Sequence, residues 1–376
     1  MKNKILILLI FVTSGCSSIP RLTQNDSIDT LIQKPDLNYK TNSLPKVINI
    51  FYSNERGGYK LPDEVQGFLE NYYFYKLKIQ YQPKLTLISL DSKSCNNQNN
   101  ISDLNIIFDI SHNQEIFSAS PCLKTLTKSK TLFVSNKDND ALSFGSYFFI
   151  SRKKEEEKLL NLISSKNNIA VIDSTKTLDA PKIIQYLVDQ DKTVAEQRTY
   201  SNEQNSQNMF SEVLMVDRSK ERLRKLSRRL SLEISGNPRT RKDIDTFVLS
   251  VGLDTARNLK PALEYITENE LEIFILNNWE SNIAYDASDK DLIGSINSDI
   301  PFMMPIKAPD FLKSSKRTRE FAIGYDTFEI IMLKYGRSMP RNFEYKGLTG
   351  KLDISGQIIS RKPYVFKITN EGIKIL

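Results

Sequence analysis

Short apolar runs of strand length alternate with stretches of helical spacing along most of this 376-residue chain, and that alternation constrains the fold more than any other feature. Residues 47–52 are strand-like, and 61–75 follow with Val65, Phe68, Leu69 and Tyr72 at helical spacing. Further strands are expected at 85–90, 104–110, 131–135 and 147–150, with a helix at 153–164. A strand at 169–173 opens a second series, which continues with a helix at 181–188, a strand at 244–251, a helix at 254–268 and a strand at 271–276. Pro181 stands at a first helical position, where its missing N–H costs nothing. Residues 321–334 are helical, and short strands close the chain at 351–354, 358–360 and 364–368. Strands alternating with helices predict an α/β fold with mostly parallel sheets, in two successive series. The length allows two medium domains, each with its own core.

Ahead of the first strand, Lys2 and Lys4 precede an unbroken apolar run at 5–12. The run is far short of the roughly 20 residues a spanning helix needs, so residues 1–15 read as a signal peptide. It ends in Thr13-Ser14-Gly15-Cys16, which resembles the lipobox of bacterial lipoproteins. That resemblance implies acylation of Cys16 as the mature N-terminus, and Ser17 beside it implies sorting to the outer membrane. Each buried methylene contributes about 0.8 kcal/mol and one chain holds only marginally, so stable anchoring takes several chains. Residues 16–45 are polar, with Pro20, Pro35 and Pro45 and no periodicity, and read as a lipidated tether. A flexible segment of that length spans about 30 Å as a random coil and about 100 Å fully extended.

The formal charge of +7 falls to about +5 once Lys2 and Lys4 are removed, too mild a basicity to argue for nucleic acid. Besides Cys16, only Cys95 and Cys122 remain. In an exported protein they are candidates for a disulfide, contributing on the order of 3–4 kcal/mol in the chain-entropy model; two separate thiols are the alternative. The single histidine, His112, has no nucleophile and acid arranged around it in sequence, and no Cys/His cluster has metal-ligand spacing. Gly57-Gly58 lacks the other glycines and the Lys-Ser/Thr ending of a phosphate-cradling loop. No catalytic, cofactor or metal site is expected. Arg222, Arg224, Lys225, Arg228 and Arg229 share a segment with Leu223, Leu226 and Leu230 at helical spacing. The segment is either a patch for an acidic partner, anionic lipid or cell-wall polyanion, or a surface helix that buries its leucines and solvates its charges.

Several segments together resemble one family. Lys46 to Phe51, then a helix with Gln66-Gly67-Phe68-Leu69, is similar to the opening of type I periplasmic binding proteins. Tyr147 to Ser151 running into Glu155-Glu156-Glu157 resembles the inter-lobe crossing of one branch of that group, the LpoA (LppC) family of outer-membrane lipoproteins. Arg241-Lys242-Asp243-Ile244-Asp245, followed by Ala256-Arg257-Asn258-Leu259-Lys260-Pro261, resembles an internal stretch of the family. So do Gly324-Tyr325-Asp326-Thr327-Phe328 and Gly347-Leu348-Thr349-Gly350-Lys351-Leu352 with Arg361 beyond, although Thr327-Phe328 stands where the family tends to have Ala-Trp. Long family members carry a helical repeat domain where the polar tether stands here. The resemblance implies two lobes, expected as 46–158 with 288–340 and 159–287 with 341–376. It also implies a cofactor-free activator of a class A penicillin-binding protein. The rival expectation is a tethered solute receptor. Its ligand, an amino acid or another small molecule, would sit at the loops after Tyr52, Val134, Val251 and Leu276, near Ser53, Asn54, Ser135, Asn136, Gly252, Asn277, Asn278 and Trp279. Radioactive palmitate fed to cells is expected to label the wild-type chain and not Cys16→Ala; an unlabelled wild-type chain would remove the anchor.

Overall fold

The computed structural model describes residues 31–53, 60–90, 102–108, 130–135, 145–150, 152–164, 167–176, 178–234, 236, 238–267, 271–277, 279, 283–286, 289–312, 317–336 and 342–376. Cys16, Cys95, Cys122, His112, Asn54, Asn136 and Asn278 lie outside them. The strands are β1 (Val47–Tyr52), β2 (Lys84–Ser89), β3 (Leu104–Phe108), β4 (Thr131–Ser135), β5 (Ser146–Phe149), β6 (Asn168–Ser174), β7 (Thr193–Tyr200) and β8 (Thr246–Val251). They continue with β9 (Glu272–Asn277), β10 (Ile296–Asp299), β11 (Asn342–Gly347), β12 (Gly350–Ser355), β13 (Ile358–Lys362), β14 (Tyr364–Thr369) and β15 (Gly372–Ile375). The helices are α1 (Asp63–Ile79), α2 (Arg152–Asn161), α3 (Ala180–Asp189), α4 (Ser206–Val213), α5 (Val216–Leu230), α6 (Leu253–Ile266) and α7 (Arg319–Gly336).

Two mixed sheets result, one per lobe. The first runs β11-β12-β13-β5-β4-β3-β1-β2, parallel from β13 to β2 with an antiparallel edge. The second runs β15-β14-β10-β9-β8-β6-β7, parallel from β10 to β7. β3 and β8 are buried along their whole length, as apolar strands in sheets covered on both faces must be. The expected lobe division needs correcting at its C-terminal part. β10 pairs with β9 and so belongs to the second lobe, whereas β13 pairs with β5 and brings β11 and β12 into the first. The chain therefore passes between the sheets after β5, after β10 and at Pro363 between β13 and β14. Local periodicity distinguishes strands from helices but does not say which sheet a late strand joins.

In the first lobe α1 and α7 pack backbone to backbone. A Cβ on Gly67 would lie 2.0 Å from the Phe321 carbonyl oxygen, and one on Gly324 would lie 1.8 Å from that of Glu64. Only glycine allows so close a crossing. Phe328 fills the space beneath it, its ring 5.0 Å from Phe68 and 5.7 Å from Tyr75.

Residues 31–44, expected within a free tether, instead strap the body. Leu31 is buried in the second-lobe core with Leu214 and Val216, and Leu44 in that of the first. Between them Gln33 N donates to Lys346 O at 2.7 Å, Lys40 N to Gly336 O at 2.8 Å, and Ser43 Oγ to Tyr335 O at 2.7 Å. The buried Glu329 carboxylate of α7 gives the strap its register. It accepts from Tyr75 Oη at 2.8 Å, from Asn71 Nδ2 at 3.4 Å and, out of the strap itself, from Tyr39 Oη at 3.0 Å. A buried carboxylate without such donors would cost several kcal/mol.

Burial raises the Glu329 carboxyl from 4.5 to about 7 against the pull of those donors, raises Asp326 to about 6, and raises Glu155 as well. Between about 4.5 and about 7 the folded protein therefore holds a proton on Glu329 that the unfolded chain has released. The stability this confers is complete below the unfolded value and is lost as pH rises through the folded one. The thermal midpoint is expected to rise on acidification from pH near 8 to near 5.5, and Glu329→Gln to remove a share on the order of 2 kcal/mol over that interval. A midpoint that falls over that interval would contradict this account.

Candidate functional site

The seam between the lobes holds two buried ion pairs, each joining one lobe to the other. Asp299 ends β10 in the second lobe, and Arg319 opens α7 in the first. Arg319 Nε donates to Asp299 Oδ1 at 3.0 Å and Nη2 to Oδ2 at 2.5 Å, a bidentate pair with both side chains buried. Glu155 lies in the first turns of α2 and Arg361 in β13, with Arg361 Nη1 2.6 Å from Glu155 Oε1 and both side chains buried. Burial pushes the Glu155 carboxyl up, while Arg361 pulls it down.

The neighbouring polar groups are committed to the same cluster. Asn277, the last residue of β9, is buried and donates from Nδ2 to Asp299 Oδ2 at 3.2 Å. Ile300 N donates to Asp299 Oδ1 at 2.8 Å. Trp279 N donates to Asn277 Oδ1 at 3.2 Å, and the Trp279 ring lies 4.8 Å from the Arg319 guanidinium carbon. Trp279 has a φ of 58°, a left-handed backbone that a bulky side chain adopts only where its surroundings enforce it. Tyr285 Oη is 3.3 Å from Asn297 Oδ1, and Arg317 donates to the carbonyls of Phe302 and Met304. Of the loops proposed for a solute, the one after Leu276 thus spends Asn277 and the Trp279 ring on the inter-lobe pair. Among the described residues no group of His, Cys, Asp and Glu could hold a metal ion, and no helix is long and apolar enough to cross a membrane.

The basic segment forms α5. Its leucine stripe does not pack into the body, which corrects the reading as a surface helix with buried leucines. Only Val216 and Ser219 of this helix are buried, Leu223 is half-buried, and Leu226 and Leu230 are 47% and 53% exposed. Arg222, Arg224, Lys225, Arg228 and Arg229 are all exposed. The helix is rooted by its first turn, where Arg239 N donates to Ser219 Oγ at 2.8 Å, and runs outward from there.

Residues 188–362 match the family described as "LppC putative lipoprotein". Over this stretch the chain is similar to that family. Its fold is that of the LpoA (YraM) C-domain from Haemophilus influenzae, described as a regulator of PBP1A. The identity is 14% and the TM-score 0.53, covering 88% of this chain and 99% of that one. Against full-length LpoA from the same organism the TM-score is again 0.53, with 90% of this chain covering 60% of that one. A "putative branched-chain amino acid ABC transporter" from Rhodospirillum rubrum shares the fold at 11% identity and TM-score 0.55, covering 88% and 99%. No curated protein matches by sequence. At these identities the likeness establishes the two-lobed, type I periplasmic-binding-protein-like fold.

Two of the segments that suggested the family meet in space, and two others are fixed by ion pairs. Asp326 accepts from Leu348 N at 2.9 Å, from Thr349 N at 2.8 Å and from Thr349 Oγ1 at 2.5 Å, so the α7 motif fixes the Gly347-to-Gly350 turn. Arg241 pairs with Asp243 at 2.6 Å and Glu196 at 3.1 Å, and Arg257 with Asp289 at 2.8 Å. Asp299 and Arg319 were not singled out in the sequence. Their signal was a charge at the edge of an apolar stretch, Asp299 before Ile300-Pro301 and Arg319 before the all-buried run of α7. Arg361→Ala, which leaves Glu155 buried without its cation, is expected to lower stability by about 3–5 kcal/mol in a denaturant titration. Pairing Arg361→Met with Glu155→Leu should restore most of it; equal losses in the single and double variants would mean the pair is not what matters there.

Proposed function

We propose that this chain is an outer-membrane lipoprotein, held by lipid on Cys16, which binds a class A penicillin-binding protein and activates its peptidoglycan synthesis. The observation that carries the reading is the seam. In a chain that matches the LppC family over residues 188–362 and shares the LpoA C-domain fold, Asn277 and Asp299 at the ends of β9 and β10 are taken up by each other and by Arg319, where a solute receptor would offer such groups to a ligand. A body whose lobes are pinned by its own side chains presents surfaces, and it works by binding one state of a partner better than another. No cofactor is required for that. The solute-receptor reading keeps the support of the fold it shares with the Rhodospirillum rubrum protein, and it predicts a small molecule that raises the melting temperature.

The mature chain with Cys16→Ser, added to purified class A penicillin-binding proteins, is expected to raise the transpeptidase or glycosyltransferase rate of at least one. Unchanged rates for every synthase tried, together with a solute that stabilises the protein by several degrees, would replace this reading with the receptor.

A further inference from the structure

The helix α5 is left without a role by the seam and by the match to the LpoA fold. We propose that it lies on the surface of an anionic phospholipid bilayer, its leucine stripe among the acyl chains and its arginines among the headgroups.

The placement of its residues carries the inference. At 100° per residue, Leu223, Leu226 and Leu230 fall within about 60° of one another around the helix. Leu232, just past the left-handed Ser231 that ends the helix, adds a fourth leucine that is 63% exposed. Arg222 and Arg229 border this stripe on one edge, and Lys220 and Arg224 on the other. The two acids of the helix, Asp217 and Glu221, lie on the far side. There Asp217 faces Lys220 at 3.3 Å and Glu221 faces Lys225 at 2.7 Å. Among the described residues no carboxylate pairs with Arg222, Arg224, Arg228 or Arg229.

Such a helix is matched on both counts by one environment. A soluble polyanion would satisfy the arginines and leave the leucines in water. A partner helix would cover the leucines without needing cations along both edges. A bilayer interface carrying negative headgroups takes the apolar stripe and the cationic edges together, with arginine stems reaching along the apolar face to the phosphates. The attachment of the helix fits this placement, since its fully buried residues, Val216 and Ser219, lie in its first turn while Leu226 and Leu230 are exposed. The strap that leads toward Cys16 enters the same core as the root of α5, through Leu31 and Val216. Residues 16–30 span at most about 50 Å, so a lipid on Cys16 would keep α5 near the membrane that holds it. The inference does not depend on which synthase, if any, the protein contacts.

The test uses the mature chain carrying Cys16→Ser, which retains the other mature residues and removes the acylation site. It is sedimented with vesicles of phosphatidylcholine alone and of phosphatidylcholine with about one third phosphatidylglycerol. Binding is expected only to the second. Leu226→Ser with Leu230→Ser, and separately Arg222→Glu with Arg229→Glu, should each weaken it at least about tenfold without moving the melting temperature, because all four side chains are exposed. Absence of binding to the anionic vesicles would overturn the proposal. So would binding that the leucine pair does not affect while dextran sulfate competes for it, which would make α5 a polyanion site. A leucine-dependent dimer in sedimentation velocity without vesicles would assign the stripe to a second copy of the chain instead.

Discussion

The pairing of Arg319 with Asp299 anchors the architecture, because it fixes the seam at which the two lobes must agree. Each lobe is a complete sheet with its own core and could adopt many orientations relative to the other. Charges taken out of water must find each other, and here the partners come from opposite lobes. Breaking the seam exposes an ion to an apolar surround or pulls apart a bidentate pair, so the lobes have one geometry in which all four charges are satisfied. Asn277, the Ile300 backbone and the Trp279 ring reinforce that geometry, and they do so at the strand ends where proteins of this fold bind ligands.

The strap is a second clasp of the same kind. It runs from the second-lobe core at Leu31 to the first-lobe core at Leu44, held part-way by the Glu329 carboxylate. The buried carboxylate makes Tyr39 a structural residue of α7 although 290 positions separate it from Glu329 in sequence. A chain segment that is polar and proline-containing reads as linker by composition, and composition is blind to a single tyrosine with a buried acid waiting for it. With the strap bound, the N-terminal end of the chain leaves from the lobe that carries α5.

Most of the secondary structure was legible, and several of the misses have a physical reason. β7 (Thr193–Tyr200) is an edge strand whose residues are mostly half-buried or exposed, so its polar sequence carries no apolar alternation. β10 and β15 are four residues each, too short to show a period. Arg361 and Asp326 could be picked out through the family pattern, and the structure gives each a physical role. Arg361 neutralises Glu155, and Asp326 fixes the turn at Leu348-Thr349. Asp299 and Arg319 carried no such pattern, because a residue's need for a buried partner is visible only once its surroundings are.

The sequence by itself determined the alternation of strands and helices in two successive series, the signal-like start and the amphipathic, basic character of α5, since periodicity, charge and small motifs are local properties; the two lobes followed from the family resemblance. Only the tertiary structure decided which sheet the last strands join, that the strap is bound, that the seam is bridged by the protein's own charges, and that Leu226 and Leu230 of α5 face solvent. Those four facts depend on contacts between residues far apart in the chain. A one-dimensional pattern states that a leucine stripe exists; whether the fold covers it is settled by where the helix is rooted, and here its fully buried residues lie in its first turn.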